Sequence, residues 1–572
     1  MPFEIIDHVV FYGSMAFSLG IGVYFGFWKK SHTSDGYLLA NRQMKVIPIT
    51  ISMVASSISG ITLLGYSGEV YVYGANIVWM CLSCVVASVI GGCMFVPVLT
   101  KLKSPNVFKY FELRFDRRTK ILASCAYTLY VLFFSSVVAY APAIAFSQVT
   151  AVHPQIVASL VCVVCVFYTS VGGFRAVVWT DVFQFFGIIA GVIVVAVLGI
   201  ASVGGVGAVI EKASNGHRLN FNFSIDPTQR DGFWQMLLGS TTTWIFILSL
   251  QPGTVQKYLS LSTSKNVTRV MVLQCFGIAT ISFVSIFMGL IVYAKYDGCD
   301  PLTTGEVARS DQILPYFLVD VVRDIPGLSG IFIAGLFSAS LSTLSASLNT
   351  LGATVYGDLM SLHVFRGIMK DKESLILKLI VVGSGGICTA LTCVVQHMGG
   401  IIPFAMVIVG LLNGIFCGLF SLGMIFPRAN SKAGTGQKAG AFCGVISTFL
   451  GVGIIIAVNQ WYTLQGASNY FAKPMSVANC SVSVNVTLSR TQAEYEPFVL
   501  FRISLWYNPV MGFLMVIVVG MLVSYCTKPD VYDPNLLSPI YRKTCTNPKL
   551  SQKYSAGMNS NHIGTYNFER NC

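Results

Sequence analysis

Apolar runs of about 20 residues, the length that crosses a bilayer as a helix, recur along the chain. They fall near 8–28, 46–69, 76–100, 121–148, 155–178, 180–203, 233–253, 269–294, 327–352, 374–396, 401–426, 436–458 and 503–526. The pattern predicts an all-α polytopic membrane protein with thirteen transmembrane helices. The division between the fifth and sixth rests on Gly172-Gly173-Phe174-Arg175. Polar positions interrupt the runs in three places. The second run carries Ser52, Ser56, Ser57, Ser59 and Thr62 together with Gly60 and Gly65. The ninth carries Ser338, Ser340, Ser342, Thr343, Ser345 and Ser347, and the seventh is broken at Gln251-Pro252-Gly253. Within a bilayer, unwound or polar backbone persists only where protein buries it or where it lines a wet cavity. These stretches therefore predict broken helices at the wall of a site. Close packing through small residues and hydroxyls bonding back to helix carbonyls are the competing accounts. Counted from the second run, the helices form two sets of five, each opening on a broken member. That arrangement points to an alternating-access transporter built from inverted repeats.

Composition agrees. Only 11% of residues are charged and mean hydropathy is +0.69, against about 25% charged in soluble domains. A net charge of +13 would suit nucleic acid, but its distribution explains it better. With the N-terminus outside and the C-terminus in the cytoplasm, 28 of the 37 Lys+Arg lie on the cytoplasmic side and 9 outside, as the positive-inside rule expects. The dense cluster from Lys101 to Lys120 would meet anionic lipid. The first run has no basic region before it and no small-residue cleavage site behind it, so it reads as a retained span. Four regions result: residues 1–45 (first helix and first cytoplasmic loop), 46–426 (transport core), 427–526 (two further helices with a glycosylated outer loop) and 527–572 (cytoplasmic tail). A multi-pass plasma-membrane protein is expected. Asn222, Asn479 and Asn485 head glycosylation sequons in outside loops, whereas the sequon at Asn266 falls inside and reads as a chance match. Of sixteen cysteines, only Cys299 and Cys480 lie in outside loops. An exposed compartment is oxidising, so a disulfide between them is expected.

Ionisable residues inside a membrane are costly and default to functional candidates. Few are apparent: Glu69 closes the second span, Asp181 opens the sixth and Arg175 sits in the turn before Asp181. Asp181 shares a helix face with Gln184. It is either an ion ligand or an acidic residue capping a helix. No Ser/His/Asp set or metal-ligand cluster lies in the spans, so an enzyme is not expected. A channel would show filter-like rings of carbonyls or charges, and no such string occurs. Sodium is a hard cation that binds unwound carbonyls and hydroxyls near the midplane. Ser342 and Thr343 suit that task, and Ser345, one turn on, suits a second ion.

Tyr168-Thr-Ser-Val-Gly-Gly-Phe-Arg-Ala-Val-Val-Trp-Thr-Asp181-Val-Phe-Gln184 resembles the signature of the sodium:solute symporters. So does Leu419-Phe-Ser-Leu-Gly-Met-Ile-Phe-Pro427-Arg-Ala-Asn-Ser-Lys432. Val255-Gln-Lys-Tyr-Leu-Ser260 and Ser310-Asp-Gln-Ile-Leu-Pro315 are similar to the branch holding monocarboxylate, multivitamin and iodide symporters. The resemblance implies a leucine-transporter-type 5+5 inverted-repeat core. It also implies a co-transported Na+ held by backbone at Ala55 and Ile58, by the Ala339 carbonyl, and by the Ser342 and Thr343 side chains. A second sodium site, present in some members, would match Ser56, Asp181, Gln184 and Ser345. Positions matching the sugar pocket of the family are Ser57, Thr62, Cys81, Ile247 and Leu248, with Gln251 at the nearby break. They lack the polar groups and stacking ring that a sugar needs. A small organic anion of the monocarboxylate type fits better, since half-helix N-termini can hold a carboxylate without an arginine. The alternatives are a vitamin (biotin or pantothenate) or iodide symporter, a non-transporting relative, and an uncoupled channel. The expected partners are a small-molecule substrate, sodium and lipid, with no nucleic acid.

Overall fold

A computed structural model describes residues 3–29, 34–150, 152–321, 325–361, 373–396, 401–430, 440–464, 472–480, 498–527 and 532–545. The described residues are helical, with no strand among them beyond one isolated bridge between Met44 and Leu261. The long helices are α1 (Ile5–Val23), α2 (Val46–Ser57), α3 (Gly60–Tyr73), α4 (Trp79–Met94), α5 (Arg117–Thr150) and α6 (Pro154–Val203). In the seventh run Gln235–Ser240, Thr241–Ile245 (α7) and Phe246–Leu250 alternate π- and α-helical turns, then α8 (Pro252–Leu259) follows. After these come α9 (Ser264–Lys295), α10 (Leu328–Ser361), α11 (Glu373–Val395), α12 (Ile401–Ile425), α13 (Gly440–Leu464) and α14 (Asn508–Tyr525). Helix therefore stands at each apolar run. By length and apolarity alone, nine helices among the described residues qualify as membrane spans, or ten when the bent α2–α3 pair is taken as one.

Two of the three polar stretches break a helix, in the second and seventh runs. The ninth does not, since α10 runs unbroken from Leu328 to Ser361 and hydroxyls such as Thr343 and Ser345 bond back to its own carbonyls. Between α2 and α3 the axis turns by 51°, because Ile58 and Ser59 are extended (φ −108°, ψ 113° and φ −105°, ψ 172°). Gln251 is extended in the same way before Pro252, and a proline at the first helical position needs no backbone donor. The Gly172-Gly173 turn breaks the 50-residue helix α6 at Gly173, φ +62°. A side chain there would also strike the Tyr37 ring at 2.8 Å, so glycine is required twice over. The Tyr37 hydroxyl donates to the carbonyls of Ser170 (3.1 Å) and Thr169 (3.3 Å), meeting acceptors next to that break.

Helix α6 packs along α10, and both contact α1. Asp7 of α1 is buried and accepts the Gly330 N–H at 2.7 Å, serving an otherwise unpaired donor in the first turn of α10. Helices α12, α13 and α14 pack together beside the core. Their seams are lined by small residues: a Cβ at Gly414 would lie 2.3 Å from the Pro509 carbonyl oxygen, the close backbone approach typical of membrane helices.

The loops on the Cys299 side are tied down. Cys299 and Cys480 form a disulfide. Arg218, buried, donates to the carbonyls of Tyr71, Gly216 and Pro474 and stacks 3.8 Å from the Tyr293 ring centroid. Burial lowers the guanidinium's pKa, and the nearby Tyr293, Tyr71 and Asp300 act against that. Asn479 is exposed beside the bridge, and Asn222 is partly exposed; Asn485 lies outside the described residues. Treatment of cell-expressed protein with a glycosidase should increase its gel mobility, and Asn222→Gln with Asn479→Gln should shrink that shift. A shift of unaltered size in the double variant would remove both acceptors.

Candidate functional site

A cavity of about 150 Å³ lies between the α2–α3 break, the Gln251-Pro252 break and the flank of α10. Its wall includes Ser56, Ser57, Ser59 and Thr62 of the α2–α3 region, Ile247, Gln251, Gly253, Thr254 and Lys257 around the second break, and Thr343, Ser347 and Thr350 of α10. Aromatic residues Tyr66, Tyr127, Tyr130, Phe134 and Trp244 supply much of the rest. The sequence placed Ser57, Thr62, Ile247 and Gln251 here, and they do line the cavity. Cys81 and Leu248 do not. Cys81 directs its thiol to the Ala279 carbonyl (3.6 Å), and Leu248 is buried with its carbonyl accepting from the Tyr258 hydroxyl (2.8 Å). The π-helical winding of Phe246–Leu250 changes which side chains reach the cavity. Met80, the neighbour of Cys81, lines it instead.

Both broken helices restart with first-turn residues on this cavity: Ser59, Ile61 and Thr62 for α3, Gly253 and Thr254 for α8. First-turn amides have no intrahelical acceptor, and the helix dipole makes that end attractive to an anion. Ser59 and Thr62 form a reciprocal capping box, which fixes the start of α3. Gly60 permits the packing behind it, since a Cβ there would meet the Ser340 hydroxyl at 2.7 Å.

Oxygen atoms suited to sodium converge beside the cavity. The Thr343 hydroxyl lies 3.1 Å from the Ser56 carbonyl, 3.1 Å from the Ala339 carbonyl and 3.4 Å from the Ile58 carbonyl. The Ala55 carbonyl accepts from the Ile58 N–H (3.3 Å) at the end of α2. Ser342, next along α10, donates to Asp181 Oδ1 at 2.7 Å. Residues proposed for the main sodium site on α2 and α10 thus sit together, joined by the same unwound backbone that ends α2.

The residues matched to a second ion divide. Asp181 is fully buried. Its Oδ2 accepts from Ser52 Oγ (2.5 Å) and from Lys257 Nζ (3.2 Å). Lys257 Nζ also donates to Ser56 Oγ (2.7 Å) and to the Ser52 carbonyl (2.9 Å). By contrast, Gln184 Nε2 donates to Ser18 Oγ (3.4 Å) and Ser345 Oγ to the Ser342 carbonyl (3.1 Å). Asp181 is not a plain helix cap: it lies within α6 and holds an ion pair.

An apolar run that ends at Gly253 leaves Lys257 among the cytoplasmic loop residues, but the structure buries it on α8. Its side chain is only 4% exposed. A signal was present: Val255, Tyr258 and Leu259 continue an i, i+3, i+4 apolar pattern past Pro252, and all three are buried. Proline had marked a break within the helix rather than its end.

Leu505, Trp506 and Pro509, at the start of α14, also line the cavity. Trp506 Nε1 donates to Asp231 (2.8 Å). Arg230 pairs with Asp231 (2.9 Å) and with Glu69 of α3, and lies 3.5 Å over the Tyr73 ring. Burial works against the Arg230 charge, but Asp231 and Glu69 outweigh it and leave the pKa above its ordinary value. Glu69, at the end of the second run, is one half of this clamp.

Comparison with known proteins places the arrangement. A model of the sodium:solute symporter family matches residues 37–448. Sodium-coupled monocarboxylate transporter 2 of Mus musculus is 33% identical over 552 residues, 95% of this chain and 88% of that protein. Sodium-coupled monocarboxylate transporter 1 of Homo sapiens is 32% identical over 551 residues, 92% of this chain and 88% of that protein. The solved structure of a Na+-coupled sialic acid symporter, in a substrate-bound outward-open state, superposes with a TM-score of 0.72. It covers 92% of this chain and 99% of that one at 20% identity, which establishes a shared fold.

Proposed function

Because the chain belongs to the sodium:solute symporter family, a family of sodium-coupled membrane transporters rather than enzymes, we propose that it carries a small organic monocarboxylate into the cell with sodium. The observation that carries this reading is the pair of helix N-termini, α3 and α8, opening on one largely apolar cavity. Two sets of first-turn amides can hold a carboxylate, while Tyr127, Tyr130 and Trp244 offer apolar surface to a short carbon chain. Lys257, the cation on the wall, already directs its donors to Ser52, Ser56 and Asp181, so the substrate anion relies on backbone amides and hydroxyls. Relatives that transport monocarboxylates with sodium support the same class.

A cavity of about 150 Å³ is the size that accommodates benzene, enough for lactate, pyruvate or butyrate. Sodium binds at Ala55, Ile58, Ala339, Ser342 and Thr343. The protein sits in the plasma membrane with its N-terminus and the Cys299–Cys480 loops outside and its tail inside, across thirteen spans. The region 46–426 forms the inverted-repeat core.

The test is uptake of radiolabelled lactate, pyruvate, butyrate, biotin, pantothenate and iodide in sodium medium and in choline medium. Sodium-dependent accumulation of the short acids, and little of the vitamins, is expected. Uptake that only equilibrates would instead indicate an uncoupled channel, and preferential accumulation of iodide would move the substrate to inorganic anions.

A further inference from the structure

We propose that the Lys257 ammonium is a built-in cation filling the second cation position beside Asp181, so that substrate moves with a single sodium. This rests on the sodium-coupled monocarboxylate reading above. An ammonium has three donors, and all three of Lys257 meet oxygens: Asp181 Oδ2, Ser56 Oγ and the Ser52 carbonyl. Two of these partners, Asp181 and Ser56, are members of the set that a second ion would use. Of the other two members, Ser345 turns to its own helix, and Gln184 donates its Nε2 to Ser18 while its buried Oε1 has no hydrogen-bond partner.

Charge makes the two cations exclusive. Asp181 contributes one negative charge, fully buried, and Lys257 neutralises it. A sodium added at the same place would leave an uncompensated positive charge in a buried site, which is strongly unfavourable. The lysine also connects the helices that must move together. It stands on α8 and reaches α2 through Ser52 and Ser56 and α6 through Asp181. Asp181 Oδ1, the other oxygen of that carboxylate, accepts from Ser342 on α10. A residue on the substrate cavity wall is thereby two hydrogen bonds from a main-site sodium ligand. Lys257 acts as a positioning residue for that ligand.

The consequence is electrical. One sodium entering with one monocarboxylate moves no net charge, so the membrane potential should not drive uptake. A tenfold sodium gradient would support at most about a tenfold accumulation.

Purified full-length protein would be tested with radiosodium for ions bound per molecule, and in proteoliposomes with radiolabelled lactate. The unaltered protein should bind one sodium, and valinomycin-imposed potassium potentials should leave lactate uptake unchanged. Lys257→Met should vacate the position, raise the count to two and make melting temperature depend more steeply on sodium. Adding Asp181→Asn should return the count to one. Lys257→Arg, which keeps the cation should Met fail to fold, should hold the count at one. Two sodium ions bound to the unaltered protein, with sodium-driven uptake intact, overturns this inference alone. So does a count of one in folded Lys257→Met. No sodium bound at all would overturn the transport reading and this inference together.

Discussion

Asp181→Asn is expected to lower stability by about 3–5 kcal/mol, the range for removing one partner of a buried ion pair. Asparagine has the same shape, but it leaves the Lys257 ammonium without a counter-charge at a place where Lys257 is 4% exposed. It also weakens the acceptor for Ser52 and Ser342, whose hydroxyls donate to this carboxylate at 2.5 and 2.7 Å. A helix cap would cost only about 1 kcal/mol, so the size of the effect separates the two roles. The measurement is denaturation of the detergent-purified protein beside its quantity at the cell surface. Lys257→Met in the same molecule should recover much of the loss, because replacing a whole buried pair with neutral groups is often tolerated. If Asp181→Asn costs no more than a cap, or the double variant is merely the sum of the singles, the pair does not act as a unit.

Thr343→Val should raise the sodium concentration for half-maximal uptake by about tenfold. A ligand interaction of this kind contributes on the order of 1.4 kcal/mol, a factor of ten in affinity. Valine preserves the branched shape and deletes the hydroxyl that now sits within 3.4 Å of the Ser56, Ile58 and Ala339 carbonyls. Thr343→Ser keeps the hydroxyl and should retain most of the affinity. Because coupling between bound sodium and bound substrate is reciprocal, substrate should bind less tightly to Thr343→Val at a fixed, limiting sodium concentration. Sodium dependence indistinguishable from the unaltered protein, with normal amounts at the surface, would make Thr343 a packing residue.

The two predictions draw on different kinds of legibility. Thr343 and the unwound segment at Ile58 were readable in the chain because hydroxyls crowding an apolar run conflict with lipid, and that conflict needs no neighbour to be seen. The same holds for the helix breaks at Ser59, Gln251-Pro252 and Gly173, where backbone chemistry is local. The Cys299–Cys480 bridge was legible because the topology left only those two cysteines in outer loops.

Lys257 was hidden by its own position. A lysine after Pro-Gly reads as loop, and only the burial of α8 against Ser52, Ser56 and Asp181 shows that its charge is internal. The placements of Leu248 and Cys81 were likewise beyond the chain, since the π-helical winding of Phe246–Leu250 and the packing of Cys81 on α4 against Ala279 of α9 are set in three dimensions. The clamp of Glu69, Arg230, Asp231 and Trp506 joins residues more than 400 positions apart. Periodicity and polarity along the sequence determined where helices form and where they break, because those forces act between a residue and its solvent or its own backbone. Which charges meet inside, and which side chains line the cavity, was decided by tertiary packing, because a buried charge is tolerated only where distant segments bring it a partner.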